Sequence, residues 1–237
     1  MTGTAPASAR ALPHPARRWL WAHPEWWVLG LSGAAWAALA ASSAGTSGHV
    51  GHSEGVSWRS VAMVTAMMLP LVIPHVRFVA GSSLWRRRHV AVAWFLSGYL
   101  SLWAAAQLGL EAGWLWASSR VGVTGAVWAV VACAALWEVA PAERQRRRRC
   151  HRITPLAPRG WEADAACVRF GVATGVRCFA VCWAAMLLCS VFSHGLLIMA
   201  GVFGVQWSSR YHVSASKWWR AAALLAVGAL GLVLHTS

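Results

Sequence analysis

Residues 58–80 read WRSVAMVTAMMLPLVIPHVRFVA, with charged side chains only near the two ends, at Arg59 and Arg77. A helix needs about 20 mostly apolar residues to cross the hydrocarbon core of a bilayer, so this stretch predicts a membrane-spanning helix. Pro70 and Pro74 remove backbone N–H donors inside it. Such a defect is tolerated in lipid where neighbouring helices satisfy the freed carbonyl groups. We therefore expect this helix to be surrounded by other helices.

Six further apolar stretches occur along the chain. The seven predicted helices cover residues 26–44, 58–80, 89–108, 121–140, 171–191, 195–207 and 218–234. The sixth is short for a crossing, and one long bent helix joining the fifth and sixth is the alternative.

The composition agrees with a membrane protein. Of the 237 residues, 58% are hydrophobic and 12% are charged, whereas a soluble domain has about 25% charged residues. The predicted fold class is all-α, a polytopic membrane bundle of about seven transmembrane helices.

Basic residues are distributed unevenly between the two sides of this bundle. If the seven stretches cross the membrane, all 21 Arg and Lys residues except Arg59 and Arg120 lie on the side of the N-terminus. Cytoplasmic loops carry such an excess, so the N-terminus is predicted to be cytoplasmic and the C-terminus external. Residues 1–25 become a basic cytoplasmic tail, residues 26–237 a single transmembrane domain, and residues 141–170 a basic cytoplasmic loop.

The formal net charge of +14 could indicate nucleic-acid binding. The basic residues form short clusters between apolar runs, however, with no basic face or stripe. We therefore expect the lipid bilayer to be the partner, together with an unidentified protein, and no nucleic acid.

The first apolar stretch has two interpretations. Ala38-Leu39-Ala40 resembles the cleavage site of a signal peptide. We favour an uncleaved anchor helix, because the apolar run continues past this sequence.

Sulfur side chains recur at helical spacing in the second and fifth stretches. In the fifth, four residues follow a 4-4-3 spacing and share one face: Cys178, Cys182, Met186 and Cys189. In the second, two pairs each share a face: Met63 with Met67, and Met68 with His75. Soft thiolate and thioether ligands select Cu(I), but the same residues are common as core fillers.

The fifth stretch also opens with Gly171-x-x-x-Gly175, a spacing that favours close packing of membrane helices.

Two further groups of polar residues are candidate sites. His49 and His52 in the first external loop, and His194 in another external turn, could capture a metal, although a solvated polar loop is the plainer interpretation. Glu138 and Arg177 lie near the inner ends of their helices and could form a buried ion pair, or each could reach the interface.

No zinc-protease, nucleophile-elbow or phosphate-loop motif occurs, so we expect no enzymatic activity.

Three motifs occur in a fixed order along the chain: Met63-x-x-Ala66-Met67-Met68-Leu69-Pro70-x-x-x-Pro74, Gly98-Tyr99-x-x-x-Trp103 and Cys178-x-x-x-Cys182-Trp183-x-x-Met186. The series resembles the bacterial family of predicted metal-binding integral membrane proteins, a family of unknown function in which some members are labelled copper chaperones. The resemblance covers roughly residues 58–207. It implies a multi-pass protein of a bacterial cytoplasmic membrane. The implied Cu(I) ligands are Met67, Met68, Cys178 and Cys182, with Met63, Met186 and His75 as second choices.

The chain departs from this family's pattern at several presumed ligands. Val181 stands where the family tends to have the first of two adjacent cysteines, and Arg146 stands where its inner loop tends to have another. Leu197-Ile198 replaces a Met-Asn pair, and an acidic residue is missing around Ser209. The resemblance therefore implies the fold and leaves retention of the metal open.

The leading hypothesis for function is the binding or handling of a soft metal ion, Cu(I) above all. A second hypothesis is a non-metal assembly or scaffold subunit that binds a partner protein through its helices. A third is a small-solute permease, against which the lack of internal repeats counts.

Overall fold

The computed structural model describes residues 19–20, 22–44, 58–141, 145–146, 156, 160–192, 195–211 and 216–236. These residues form seven long α-helices: α1 (Glu25–Ala44), α2 (Trp58–Ser82), α3 (Arg88–Val121), α4 (Val123–Val139), α5 (Gly160–Val191), α6 (Leu196–Tyr211) and α7 (Lys217–Thr236). A 3₁₀ turn, Trp85–Arg87, precedes α3. The predicted all-α class is confirmed, and the described residues contain no strand.

Three helical segments are long and apolar enough to cross a membrane: Trp58–Ser82, Trp85–Val121 and Gly160–Val191. Helix α4 is apolar but shorter. With 34 residues, α3 is about 51 Å long at 1.5 Å per residue, whereas the hydrocarbon core is about 30 Å thick. A bilayer therefore cannot cover α3 along its whole length unless the helix is strongly tilted.

Helix α3 is longer than the sequence predicts, because it continues past residue 108 to Val121. The added residues 109–120 contain no proline and are mostly residues that tolerate a helix. Falling hydropathy marks where a lipid-facing surface ends, and it does not by itself end a helix. The end comes at Gly122, whose φ of 77° lies in the left-handed region that glycine adopts without strain.

Helix α5 also extends beyond its prediction, since it begins at Gly160 instead of residue 171. Its first turns carry Glu162 and Asp164, so a hydropathy criterion places them in a loop although they form a helix. Asp164 pairs with Arg87 in the turn before α3. The cytoplasmic loop predicted at residues 141–170 is shorter by these turns.

Helix α2 lies in the interior, and most of its residues are buried. Because Pro70 has no N–H, the carbonyl group of Ala66, one turn earlier, loses its helical partner. The hydroxyl of Ser32 on α1 donates a hydrogen bond of 2.7 Å to that carbonyl oxygen. The expectation that a neighbouring helix satisfies a carbonyl group freed by proline is confirmed at this position.

The substitution Ser32→Ala is expected to lower the free energy of unfolding by about 1–3 kcal/mol, because it leaves the buried Ala66 carbonyl without this donor. Thermal unfolding of the purified protein in detergent measures the loss. The matched control is Ser43→Ala, because the exposed Ser43 hydroxyl bonds only to the Ala40 carbonyl of its own helix. We expect that control to change stability by less than about 0.5 kcal/mol, and equal losses in the two variants would contradict the assignment.

Helices α3 and α5 pack closely, and glycines make this approach possible. A Cβ atom added to Gly98 would overlap the carbonyl oxygen of Val168, and one added to Gly171 would overlap the carbonyl oxygen of Phe95. At Gly175 it would lie 2.6 Å from a side-chain carbon of the opposite helix. Close packing at the predicted glycine pair is confirmed. This crossing fixes the separation of α3 and α5 in the interior, where the candidate site lies.

Candidate functional site

Two thiols on α5 form the centre of the candidate site. The Sγ atoms of Cys178 and Cys182 are 4.0 Å apart, both cysteines are free, and only 2% and 4% of their surfaces are exposed. Their spacing of four residues places both side chains on the same helix face. An ion that bridges two sulfurs through bonds of about 2.3 Å, as in zinc thiolates, needs the sulfurs within about 4.6 Å of each other. One ion therefore fits between these thiols without movement of the backbone.

Polar side chains of two other helices contact the thiol pair. The Tyr99 hydroxyl of α3 donates to the Sγ atom of Cys178 over 3.4 Å, and the Cys182 thiol donates to Oε1 of Gln206 on α6 over 3.6 Å. Tyr99 is fully buried, and Gln206 is 2% exposed. The guanidinium group of Arg210, one turn beyond Gln206, lies beside the Cys178 thiol. The pair thus lies in a dry environment with a positive charge nearby.

The contacts continue from Gln206 to a buried ion pair. The Gln206 amide donates to Oε1 of Glu138 on α4 over 3.3 Å, and Nε of Arg220 on α7 lies 2.9 Å from the other carboxylate oxygen. Both charged side chains are more than nine-tenths buried. We call the connected set the buried polar chain: Tyr99, Cys178, Cys182, Gln206, Glu138 and Arg220. It joins five helices, α3 to α7.

Glu138 forms an ion pair that the sequence did not predict. The pairing of Glu138 with Arg177, which is half-buried on α5, stays a prediction. Arg220 lies at the Glu138 carboxylate. The reason lies in the packing of α7 along α4. A Cβ atom added to Gly228 of α7 would meet the Val131 side chain of α4. This alignment brings the first turn of α7 beside the last turn of α4.

The predicted sulfur ligands of α2 face the interior as well. Met63, Met67 and Met68 are fully buried and belong to the same hydrophobic core as the thiol pair. Helix α2 packs against α1, α3 and α6, and its His75 ring lies 5.9 Å from the Phe170 ring of α5. Phe170 is about two helical turns before Cys178. On α5, Met186 is also fully buried, one turn beyond Cys182.

The structure shows what surrounds three of the positions at which the chain departs from the family pattern. The guanidinium group of Arg146 lies 4.0 Å from the ring centroid of Trp137, near the end of α4. Val181 is buried beside the thiol pair, whereas Leu197 is 66% exposed and so does not point into the core. The predicted external ligands His49, His52 and His194 lie outside the described residues.

Within the described ranges, no three His, Cys, Asp or Glu side chains converge as a metal site of those residue types would require. In that part of the chain, the two thiols are therefore not joined by a third ligand of these residue types.

Comparison with known families identifies the class of protein. A model of the family described as PpoB2, copper chaperone, matches residues 56–234. The chain belongs to this family. The matched residues include the whole buried polar chain and all three sequence motifs. No curated protein and no solved structure matches the chain.

Sequence reasoning missed two members of the buried polar chain, Gln206 and Arg220. A signal for both was present, because each is a polar residue inside an apolar helix. Polar residues within membrane helices are functional candidates by default. Their connection to the thiols could not be predicted, since nothing in the spacing relates residues on α6 and α7 to those on α5.

Proposed function

We propose that the protein binds Cu(I) as cargo between the thiolates of Cys178 and Cys182 and hands it to a partner protein. The observation that carries the proposal is the pair of buried, free thiols 4.0 Å apart in a member of a copper-chaperone family. Binding and transfer of an ion need no catalytic residues, so we do not assign the protein an enzymatic activity.

Three features support Cu(I) over a divalent ion. Structural zinc is almost always held by four cysteine, histidine or carboxylate ligands, and the described residues offer only two such groups at this place. Methionine thioethers, which belong to the same buried core as the thiols, select Cu(I). Two thiolates and one Cu(I) carry a net charge of −1, which the guanidinium group beside Cys178, that of Arg210, would balance. We assign Met186, Met67 and Met68 as thioether ligands, with Met63 and His75 as second choices.

The proposed setting is the cytoplasmic membrane of a bacterium, with all seven helices crossing the bilayer and the N-terminus in the cytoplasm. The asymmetric distribution of Arg and Lys supports this orientation. Large apolar side chains that remain exposed support lipid contact, among them Leu115, Trp116, Trp128 and Leu136 at 56–70% exposure.

Copper analysis of the purified protein tests the proposal. After loading with Cu(I) and removal of excess metal, wild type is expected to retain stoichiometric copper. The variant Cys178→Ala/Cys182→Ala is expected to retain at least about tenfold less, because both thiolate ligands are gone. The matched control is Cys133→Ala/Cys167→Ala, which removes two thiols outside the site and should leave copper unchanged. Equal copper in wild type and both variants would refute the assignment of the site.

A second candidate function is that of a membrane assembly subunit that binds a partner through its helices. Gly30 and Gly33 of α1 and Gly109 and Gly113 of α3 have no atoms within 4 Å of an added Cβ. These small residues leave open surfaces to which another membrane helix could approach closely. A partner that copurifies equally with wild type and with Cys178→Ala/Cys182→Ala, while neither binds copper, would favour this function over the first.

A further inference from the structure

A second polar cluster lies at the end of the bundle where α2 begins and α5 ends. It consists of Ser60 in the first turn of α2, Gln107 and Glu111 on α3, and Ser190 in the last turn of α5. Glu111 lies beyond residue 108, the predicted end of the third helix, so sequence reasoning did not consider it as a helical residue. Ser60 and Gln107 are each only 1% exposed, and Glu111 is half-buried.

One buried acceptor of this cluster, the amide oxygen of Gln107, has no donor in the described part of the chain. Ser60 and Gln107 both donate to the same oxygen of Glu111, Oε1, the latter over 3.2 Å. The Gln107 amide also donates to the Ser190 hydroxyl over 2.7 Å, and that hydroxyl donates to the Met186 carbonyl. The amide oxygen of Gln107 is buried and has no hydrogen-bond partner in the described part of the chain. A buried carbonyl oxygen without a donor costs free energy, and a bound cation would remove that cost.

Among the residues that the structure describes, no ion pair balances the charge of Glu111. Ion pairs in the described residues involve Glu25, Asp164 and Glu138, and none involves Glu111. Arg59 adjoins Ser60 in sequence, but it forms no ion pair with Glu111 in the described residues. The donors to the Glu111 carboxylate are a neutral hydroxyl and a neutral amide. Partial burial makes the charge of a carboxylate more costly unless a positive charge accompanies it.

We propose that Ser60, Gln107, Glu111 and Ser190 form a binding site for a hard, singly charged cation, with Na⁺ as its representative. All the available ligand atoms are oxygens, from a carboxylate, an amide and two hydroxyls, and oxygen ligands select hard cations. One carboxylate balances one positive charge. This site differs in ligand chemistry from the sulfur site, and it stands whether or not the protein binds copper.

Thermal unfolding of the purified full-length protein in detergent tests the site, with NaCl titrated against choline chloride at constant ionic strength. Wild type is expected to gain about 5–10 °C in Tm when Na⁺ reaches roughly 100 times its Kd, since the ion binds only the folded state. Glu111→Gln, which keeps the shape of the side chain and removes its charge, should lose this gain. The matched control Glu162→Gln changes an exposed carboxylate in the first turn of α5 and should keep it.

A direct binding measurement keeps the proposal falsifiable if Glu111→Gln fails to fold. Isothermal titration of wild type with NaCl should give a saturable signal, and choline chloride should give none. Three outcomes would overturn the proposal: no saturable Na⁺ binding by wild type, the same Tm gain with choline, or an unchanged Na⁺ response in folded Glu111→Gln. Saturable binding of Ca²⁺ at least tenfold tighter than Na⁺ would overturn the assignment of a singly charged ion.

Discussion

Replacing Arg220 with methionine is expected to lower the free energy of unfolding by about 3–5 kcal/mol, because the buried Glu138 carboxylate loses its ion pair with Arg220. Glu138 is 2% exposed, and the Nε atom of Arg220 lies 2.9 Å from it. For a chain of this size the loss corresponds to a decrease in Tm of about 6–20 °C. Thermal unfolding in detergent, followed by helical circular dichroism, measures it.

Two further variants separate this explanation from a general loss of packing. The double variant Glu138→Met/Arg220→Met removes both charges and is expected to recover most of the stability, because an apolar pair of similar size replaces a buried ion pair at little cost. The matched control Arg77→Met breaks an ion pair with Glu25 at 3.1 Å, in which the arginine side chain is 66% exposed. That change should cost less than about 1 kcal/mol. A double variant as unstable as Arg220→Met would contradict the argument from charge.

The substitution Gly171→Ala is expected to destabilise the protein by about 3 kcal/mol, at the upper end of the usual cost of overpacking. The added methyl group would overlap the Phe95 carbonyl oxygen. Because that oxygen belongs to the backbone of α3, no rotamer change removes the overlap, and the two helices must move apart. Copper binding should fall as well, since the displacement of α5 separates the Cys178 thiol from its donor Tyr99.

The control for this substitution is expected to raise the stability of the protein instead of lowering it. Gly113→Ala on α3 adds a methyl group to open space, and alanine stabilises an open helical position by about 0.5–1 kcal/mol relative to glycine. Thermal unfolding of both variants side by side measures the contrast. If Gly171→Ala proved as stable as wild type, the close crossing of α3 and α5 would be wrong.

The helical framework was largely predictable, because each helix core is a long apolar stretch. The burial of α2 was also predictable, since Pro70 frees a carbonyl group that lipid cannot satisfy, and Ser32 meets that need. The ends of α3 and α5 were not predictable from hydropathy. Polar residues such as Glu111 and Asp164 continue a helix when no proline or capping glycine stops it, so the cluster around Glu111 was missed.

The candidate site was predictable only within one helix. A spacing of four residues places Cys178 and Cys182 on one face of any helix, and the structure places their sulfurs 4.0 Å apart. The partners of the thiols depend on how α3 and α6 pack against α5, which the spacing of residues along α5 does not encode. For the same reason the ion pair of Arg220 with Glu138 was not predictable.

X-ray absorption at the copper edge tests the central claim most directly, because it reports the atoms bonded to the ion. Copper-loaded wild type is expected to show the edge of Cu(I) and a first shell of sulfur atoms. The same spectrum should appear in Cys133→Ala/Cys167→Ala and disappear in Cys178→Ala/Cys182→Ala. A first shell of only nitrogen and oxygen in wild type, or an unchanged sulfur shell without Cys178 and Cys182, would contradict the account.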